Sequence, residues 1–363
     1  MPQNQPGGGR FKMSGTKYLV TGACGFTGSH LCDILHDRGL DFRATDREGA
    51  DTRYLPPRAE FMASDLTDYE SLRRVVQGVD IVLHTAAIFD WWAPRELLDA
   101  VNVRGMENLC RAAEEAGVRR LVSWSTSGVY GKLPPGVTII DEDTPRNPLE
   151  DYSKTKLEQD AIAHSFNGRG GLTTSIVRPG IVYGPRAQYG AAQIFDAVAA
   201  MPAMPVPVNF KYRLGTVHVR DIAGAALFIS GKPEAAGQEY CVVDCSGVTI
   251  ADFISLVARA MRKPVIPIVA PPQLARRAGL LAADISEWLA RNVTNSRPLI
   301  ERGPIQFFPV DLNVSNRKLL ALGYEFEYPG PERGVEETVA WMGANDMLNI
   351  SPLQLVKKIK GKK

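Results

Sequence analysis

Three glycines, Gly22, Gly25 and Gly28, stand directly behind the short run Lys17-Tyr-Leu-Val20. Directly after them, Ser29 to Arg38 carries apolar residues at Leu31, Ile34 and Leu35, the spacing of a helix that Gly39 stops. A G-x-x-G-x-x-G turn between a strand and a helix constrains this chain more than any other feature. Glycine permits the tight turn. It also lets a pyrophosphate approach backbone N–H groups at the helix N-terminus, here around Phe26 and Thr27. The turn predicts a dinucleotide cradle.

The alternation then continues. Residues 41–46, 60–64, 80–85, 120–125 and 173–178 read as strands, separated by helical patterns over 69–77 and 96–116 and from Asp151 onward. This predicts an α/β fold, a Rossmann-type doubly wound parallel sheet with helices on both faces. After Pro185 the rhythm loosens, with prolines at 202–207 and 264–272 and helical patterns over 251–262, 273–291 and 334–342. The expected division is a disordered tail over 1–15 and an NAD-binding domain over 16–185, to which 215–245 returns. A smaller, mostly helical substrate lobe follows over 186–214 and 246–345, and a basic tail over 346–363.

Charge excludes one class of partner. Forty-two Lys and Arg face 40 Asp and Glu, a net charge of +2, so no global field favours nucleic acid. Five cysteines are too few and scattered for a disulfide scaffold, and no metal-ligand cluster is visible. MPQNQPGGGR lacks the apolar run of a secretory signal. The longest charge-free apolar stretch, 197–210, holds three prolines and is shorter than the roughly 20 residues that cross a bilayer. The expectation is a soluble cytoplasmic protein. The end of the chain, with Leu353, Leu355 and Val356 ahead of five lysines from Lys357 to Lys363, is read either as a solvated tail or as a weak peripheral membrane contact through 348–363.

Individual residues carry chemistry. Asp46 ends the second strand, where a carboxylate accepts hydrogen bonds from ribose hydroxyls and repels a 2′-phosphate; this favours NAD over NADP. Arg47 follows and softens that preference. Asp65 and Leu66, at the next strand end, would sit beside the adenine. Tyr152 and Lys156 are four apart on one helix face, whereas Lys154 points elsewhere. A free tyrosine has a pKa near 10, and lowering it by ~3 units is worth roughly 4 kcal/mol. A nearby ammonium and a positively charged nicotinamide could supply that. The hydroxyl-rich segment Ser123-Trp-Ser-Thr-Ser-Gly-Val-Tyr-Gly131 ends the fifth strand, where one hydroxyl must hold the reacting oxygen.

On these motifs the chain resembles the extended short-chain dehydrogenases/reductases, the epimerase/dehydratase group. TGACGFTG (21–28), Asp46, DLTD (65–68), HTAA (84–87), Asn102, STSGVYG (125–131), YSKTK (152–156), RPGIVYGP (178–185) and VHVRDIAGA (217–225) occur in the family's order. The resemblance implies Tyr152 as acid/base and Lys156 as its activator, which also holds the nicotinamide ribose. Counting back from Val129-Tyr-Gly places the catalytic hydroxyl on Thr126, with Ser125 and Ser127 as alternatives. Thr85, Ala86, Ala87 and Pro179 would line the cofactor. Asn102, His218 and Asp221 read as structural, the last two as packing and helix-capping residues. A homodimer through the helices over 96–116 and 151–166 is implied as well, supported only by Leu97, Leu98, Val101 and Leu109 exceeding one apolar stripe.

Two departures point away from nucleotide sugars. Ile181 stands where those enzymes carry Asn, and the region before VHVRD reads Pro205-Val-Pro-Val-Asn-Phe-Lys-Tyr-Arg213 in place of a G-D-G segment. Lys211 and Arg213 could still bind phosphate. Phe89, Trp91 and Trp92 at the cleft mouth suit a flat apolar substrate, with Ile181 and Tyr183 as further candidates. The pattern is similar to the branch of 3β-hydroxysteroid and sterol-4α-carboxylate 3-dehydrogenases. The expected reaction is hydride transfer between nicotinamide and a secondary alcohol or ketone on a small hydrophobic substrate. A nucleotide-sugar epimerase or dehydratase is the alternative, and a non-catalytic dinucleotide-binding regulator a third reading.

Overall fold

The computed structural model describes residues 15–57, 59–306, 310–348, 354, 356 and 357. Its first half runs β1 (Lys17–Thr21), α1 (Phe26–Asp37), β2 (Asp41–Thr45), β3 (Glu60–Phe61), α2 (Tyr69–Val75), β4 (Ile81–His84), α3 (Arg95–Leu98), α4 (Gly105–Glu115), β5 (Arg120–Trp124), α5 (Asp151–Phe166) and β6 (Thr173–Pro179). Then come β7 (Ile181–Tyr183), α6 (Ala192–Ala200), β8 (Met204–Pro207), β9 (Thr216–His218), α7 (Val219–Ser230), β10 (Glu239–Val242), α8 (Ile250–Ala260) and β11 (Val265–Ile268). Four helices close the described chain: α9 (Pro272–Leu289), α10 (Arg302–Gln306), α11 (Arg317–Ala321) and α12 (Pro331–Ala344).

Seven strands form one parallel sheet in the order β10-β6-β5-β4-β1-β2-β3. Each strand sends alternate side chains to opposite faces. Tyr18, Val20, Leu83 and Val122 pack under α1 and α7; Leu19, Val82, Leu121 and Ile176 pack under α2, α4 and α5. Strand order reverses between β1 and β4, whose ends Thr21 and His84 are register partners. Ligands bind at such a switch point.

A third core joins α6, α8 and α12 through Phe195, Phe253 and Val335. Segment 317–326 departs from the expected division: Leu319 lies in the sheet's core, and Tyr324 and Phe326 pack against it. The helix expected over 96–116 is interrupted by a wide turn over Asp99–Arg104. The proline-rich stretches pair as the parallel ribbon β8·β11. Proline tolerates this because a two-stranded ribbon leaves one edge of each strand without ladder bonds. Among the described residues, no helix is long and apolar enough to cross a membrane. The N-terminal tail through residue 14 and most of the basic tail lie outside the described residues.

Candidate active site

The glycine loop fits a pyrophosphate in detail. Gly22 has a φ of +65°, and a Cβ there would stand 2.8 Å from the Ala86 backbone. A Cβ on Gly28 would lie 2.1 Å from the Gly22 carbonyl oxygen, so α1 touches the turn only because the side chain is missing. No side chain caps the N-terminus of α1, which leaves the N–H groups of its first turn to a ligand. Thr85 lies alongside: its hydroxyl donates to Thr21 O at 2.7 Å, holding Ala86 against Gly22.

Asp46 is clamped at the other end of the crevice. Its carboxylate accepts Cys24 N–H at 3.0 Å and Arg47 N–H at 2.8 Å. The remaining lone pairs are available to ribose hydroxyls. Asp65 accepts both the N–H and the hydroxyl of Thr67, and these bonds hold its carboxyl below the usual range. Leu66 is buried against Gly105, where a Cβ would stand 2.7 Å from it. A hollow of about 570 Å³ at this end is lined by Arg47, Gly49, Ser64, Asp65 and Arg74. The two arginines offset part of the Asp46 preference. Asp46→Asn, which keeps an acceptor for the loop but removes the charge, should raise NADPH affinity relative to NADH by about tenfold, since hydrogen bonds to charged groups contribute ~1.5–3 kcal/mol. Calorimetric titration with both cofactors checks this.

Tyr152 and Lys156 rise from α5. Glu150 caps the helix by accepting Ser153 N–H at 3.0 Å, which seats Tyr152 in the first turn. Burial, with Glu150 and Asp160 adding to it, pushes the Tyr152 phenol well above its usual value. Burial pulls Lys156 down to about 8, against the opposing pull of Asp160. Lys156 Nζ donates to Gln159 Oε1 at 2.6 Å, and Gln159 Nε2 donates to Ser123 Oγ at 2.7 Å and Trp124 O at 3.1 Å. The ammonium is thus aimed by its own helix. It also faces His84, which burial and Lys156 hold down to about 3. His84 Nδ1 pairs with Thr21 Oγ1 at 2.8 Å, so the lysine and the glycine cradle share one crevice.

The three hydroxyls separate. Ser125 donates to Asp160 Oδ2 at 2.7 Å and is buried, so the structure withdraws it from the candidates. Thr126 Oγ1 accepts Gly128 N–H at 3.1 Å and keeps its proton free to donate. Gly128 sits between Thr126 and Ser153, where a Cβ would meet both hydroxyls, so Thr126 is brought against the first turn of α5. Ser127 is half-buried at the start of a short 3₁₀ turn.

Phe89 packs on Tyr152, and Trp91 packs on Phe89. The Phe89 ring centroid is 4.9 Å from that of Tyr152 and 5.1 Å from those of Trp91 and Tyr189. Tyr189 was not foreseen. Nor was the clasp that holds this cluster: Arg297 bonds Asp90 at 2.7 Å and Glu301 at 2.6 Å, while the Tyr189 hydroxyl donates to Glu301. Trp92 turns away and lies beneath Arg291, 4.6 Å from its ring centroid.

Two expectations need correction. Tyr183 is fully buried against His218, Phe253 and Gly334 and faces the lobe's core, not the cleft. Ile181 is half-buried against the same core. Asp221 does not cap a helix; it accepts the N–H groups of Glu327 and Tyr328 at 2.7 and 2.9 Å and anchors that loop. His218 does sit at the N-cap of α7, with its ring stacked on Tyr328. Asn102 clips the Ile88 backbone, accepting its N–H at 2.8 Å and donating to its carbonyl at 3.1 Å. Pro179 ends β6, beside the glycine pair Gly180 and Gly215. Among the described residues, no group of His, Cys, Asp or Glu is placed to hold a metal.

Residues 18–243 match the model of the NAD-dependent epimerase/dehydratase family. The chain belongs to that family. Its relatives include a 3β-hydroxysteroid dehydrogenase/Δ5→4-isomerase of Mycobacterium tuberculosis, 30% identical over 263 residues, with 67% of this chain and 69% of the relative covered. Sterol demethylase protein B of Methylococcus capsulatus is 32% identical over 271 residues, covering 72% of this chain and 80% of the relative. Among solved structures, a Thermus thermophilus UDP-glucose 4-epimerase in complex with NAD superposes with a TM-score of 0.68 at 26% identity, over 91% of this chain and all of the other. The cofactor of this epimerase/dehydratase family enzyme is NAD, in keeping with its glycine cradle and Asp46.

Proposed function

We propose that the enzyme interconverts a secondary alcohol and a ketone on a steroid- or lipid-like substrate. The observation that carries this reading is the aromatic cluster of Phe89, Trp91 and Tyr189, whose Phe89 ring packs on Tyr152, a lining suited to a flat apolar body. Relatives named as steroid and sterol enzymes support it.

Bound NAD supplies the hydride acceptor. The chain's own residues do the rest. The glycine loop, Thr85 and Asp46 hold the cofactor, and Thr126 donates a hydrogen bond to the substrate oxygen. Tyr152 takes the alcohol proton in oxidation and returns it in reduction. A buried phenolate is costly, so Lys156, aimed by Gln159, must be charged when it forms. Reduction ends with that phenolate. Lys156 titrates at about 8 and is charged below it, so ketone reduction should fall as pH rises through about 8, visible in the kcat profile.

The nucleotide-sugar alternative has a specific obstacle. Arg213 is committed to Asp311 through bonds of 3.0 and 2.5 Å, which removes the better of the two phosphate candidates. A regulator without turnover would need no aligned Thr126, Tyr152 and Lys156. Incubating the protein with NAD⁺ and either 3β-hydroxysteroids or UDP-sugars tests the choice, with NADH followed for the steroids and the sugar product followed by chromatography, because an epimerase or dehydratase returns its hydride and releases no net NADH. Turnover of the steroids is expected; turnover of UDP-sugars alone overturns the reading.

This reading extends to a cytoplasmic homodimer pairing the faces of residues 96–116 (α3 through α4) and of α5. Leu98 and Leu109 are buried in the protomer, so of the apolar residues named for the interface Leu97 alone is exposed. Light scattering at micromolar concentration tests it, and a monomer removes the proposal.

A further inference from the structure

Helix α9 turns an apolar ridge outward. Leu274, Leu281, Ile285, Trp288 and, just beyond the helix, Val293 are each 53–64% exposed, and Val269 ahead of the helix is 79% exposed. Ala278 and Leu289 continue the same stripe, whose spacing keeps it on one face. Ala283 is the one fully covered residue of the helix, so the ridge is the side opposite the protein. Monomeric soluble proteins rarely present contiguous apolar surface of this kind without an occupant.

We infer that this ridge is a docking face for an anionic lipid bilayer. Three observations select that occupant. First, the charges around it are basic: residues 269–306 hold five arginines and three acids. Asp284 and Glu287 are already bridged by Arg302 and Arg291, while Arg277 lies exposed beside the ridge. Second, the C-terminal turns present Trp288, 59% exposed, an amphipathic ring suited to a headgroup boundary. Third, the inner side of the same layer roofs the cleft. Arg291 stacks on Trp92, Gly303 of α10 packs on the Trp91 ring, and Ile305 reaches Gly279 of α9. The ridge is therefore about one helix diameter, ~10 Å, from the aromatic cluster beside Tyr152. A bilayer held there delivers an apolar substrate to the cleft mouth. This last argument rests on the proposed substrate class; the first two do not.

The basic tail would attract a membrane by charge alone, and salt screens that within a Debye length. Insertion of the α9 ridge is not screened. The full-length protein is sedimented with phosphatidylcholine/phosphatidylglycerol vesicles, without substrate or NAD. Binding is expected at about 0.1 M salt and largely retained at about 1 M. Leu281→Gln/Ile285→Gln/Trp288→Gln should weaken it at least about tenfold, and the milder Ile285→Ser about threefold. NAD binding should stay at the wild-type level in both, because these side chains are outside the core. Absence of vesicle binding overturns the inference, as does binding lost entirely in high salt or unaltered in the variants. A wild-type dimer that the triple variant splits into monomers also overturns it, since a second copy then covers the ridge. Failure of the steroid assay leaves the vesicle result standing, and the reverse holds too.

Discussion

Tyr152→Phe is expected to lower kcat by about 10²–10⁴-fold and to leave NAD affinity nearly unchanged. The substitution removes one oxygen and keeps the ring, which still packs 4.9 Å from Phe89. Lys156 keeps its place, because Gln159 and not Tyr152 receives its hydrogen bond. The size of the loss follows from the protein's own electrostatics. Burial raises the Tyr152 value, and Glu150 and Asp160 raise it further, so the empty site makes a weak base. In the proposed mechanism, Lys156 and an oxidised nicotinamide would place the positive charge beside the phenol that makes it competent. Lys156→Ala should therefore harm both kcat and cofactor affinity. A Tyr152→Phe enzyme turning over at the wild-type rate would remove Tyr152 from the mechanism.

Arg178→Met should cost about 3–5 kcal/mol of stability and lower the thermal midpoint by roughly 5 °C, measured by calorimetry. Arg178 is fully buried. It bonds Asp160 at 2.9 Å on one side and Glu239 at 2.5 Å on the other, joining α5 to the edge strand β10. Without the guanidinium, Asp160 loses its ion-pair partner and Glu239 keeps only Arg146 and His164. Arg178→Lys should lie between, since an ammonium cannot reproduce the fork. The effect also carries a pH signature. Burial alone would raise Glu239, but His164, Arg178 and Arg146 outweigh it and hold the carboxyl down to about 2. Its folded value is thus below the usual 4.5, so its pairing stabilises the fold above pH 4.5 and is lost as pH falls through about 2. The gap between wild type and variant should narrow across that window. A constant gap would mean that Arg178 acts through packing alone.

Local pattern made much of this legible. The glycine turn, six of the seven sheet strands and the Tyr152–Lys156 pair are short-range signals, and each lies in the element where the sequence places it. What escaped depends on partners distant in sequence. Strand β10 begins with Glu239, an unlikely strand opener until Arg178, 61 residues earlier, is seen to face it. The aromatic cluster needed Tyr189, whose hydroxyl accepts the N–H of Trp91, 98 residues away. The serine–threonine ambiguity was a matter of facing. Successive residues leaving a strand point to opposite sides, and this sends Ser125 to Asp160 and leaves Thr126 for the cleft. Tyr183 misled for the same reason: its ring turns to His218 and Phe253 in the lobe's core.

The strand order bears on how the chain is made. On a ribosome, β6 emerges well before β10, yet β10 is its neighbour at the sheet edge. Until residue 242 has emerged, β6 exposes a row of unpaired backbone groups, and Arg178 meets Asp160 without Glu239. A nascent chain halted near 185 therefore already holds Tyr152, Lys156 and the whole glycine loop, in a sheet whose β6 edge is open. Such an edge recruits other strands. The dinucleotide-binding half of this enzyme is not a unit that folds first and waits for its lobe; its last strand arrives only after α6 and the first strand of the proline ribbon have passed.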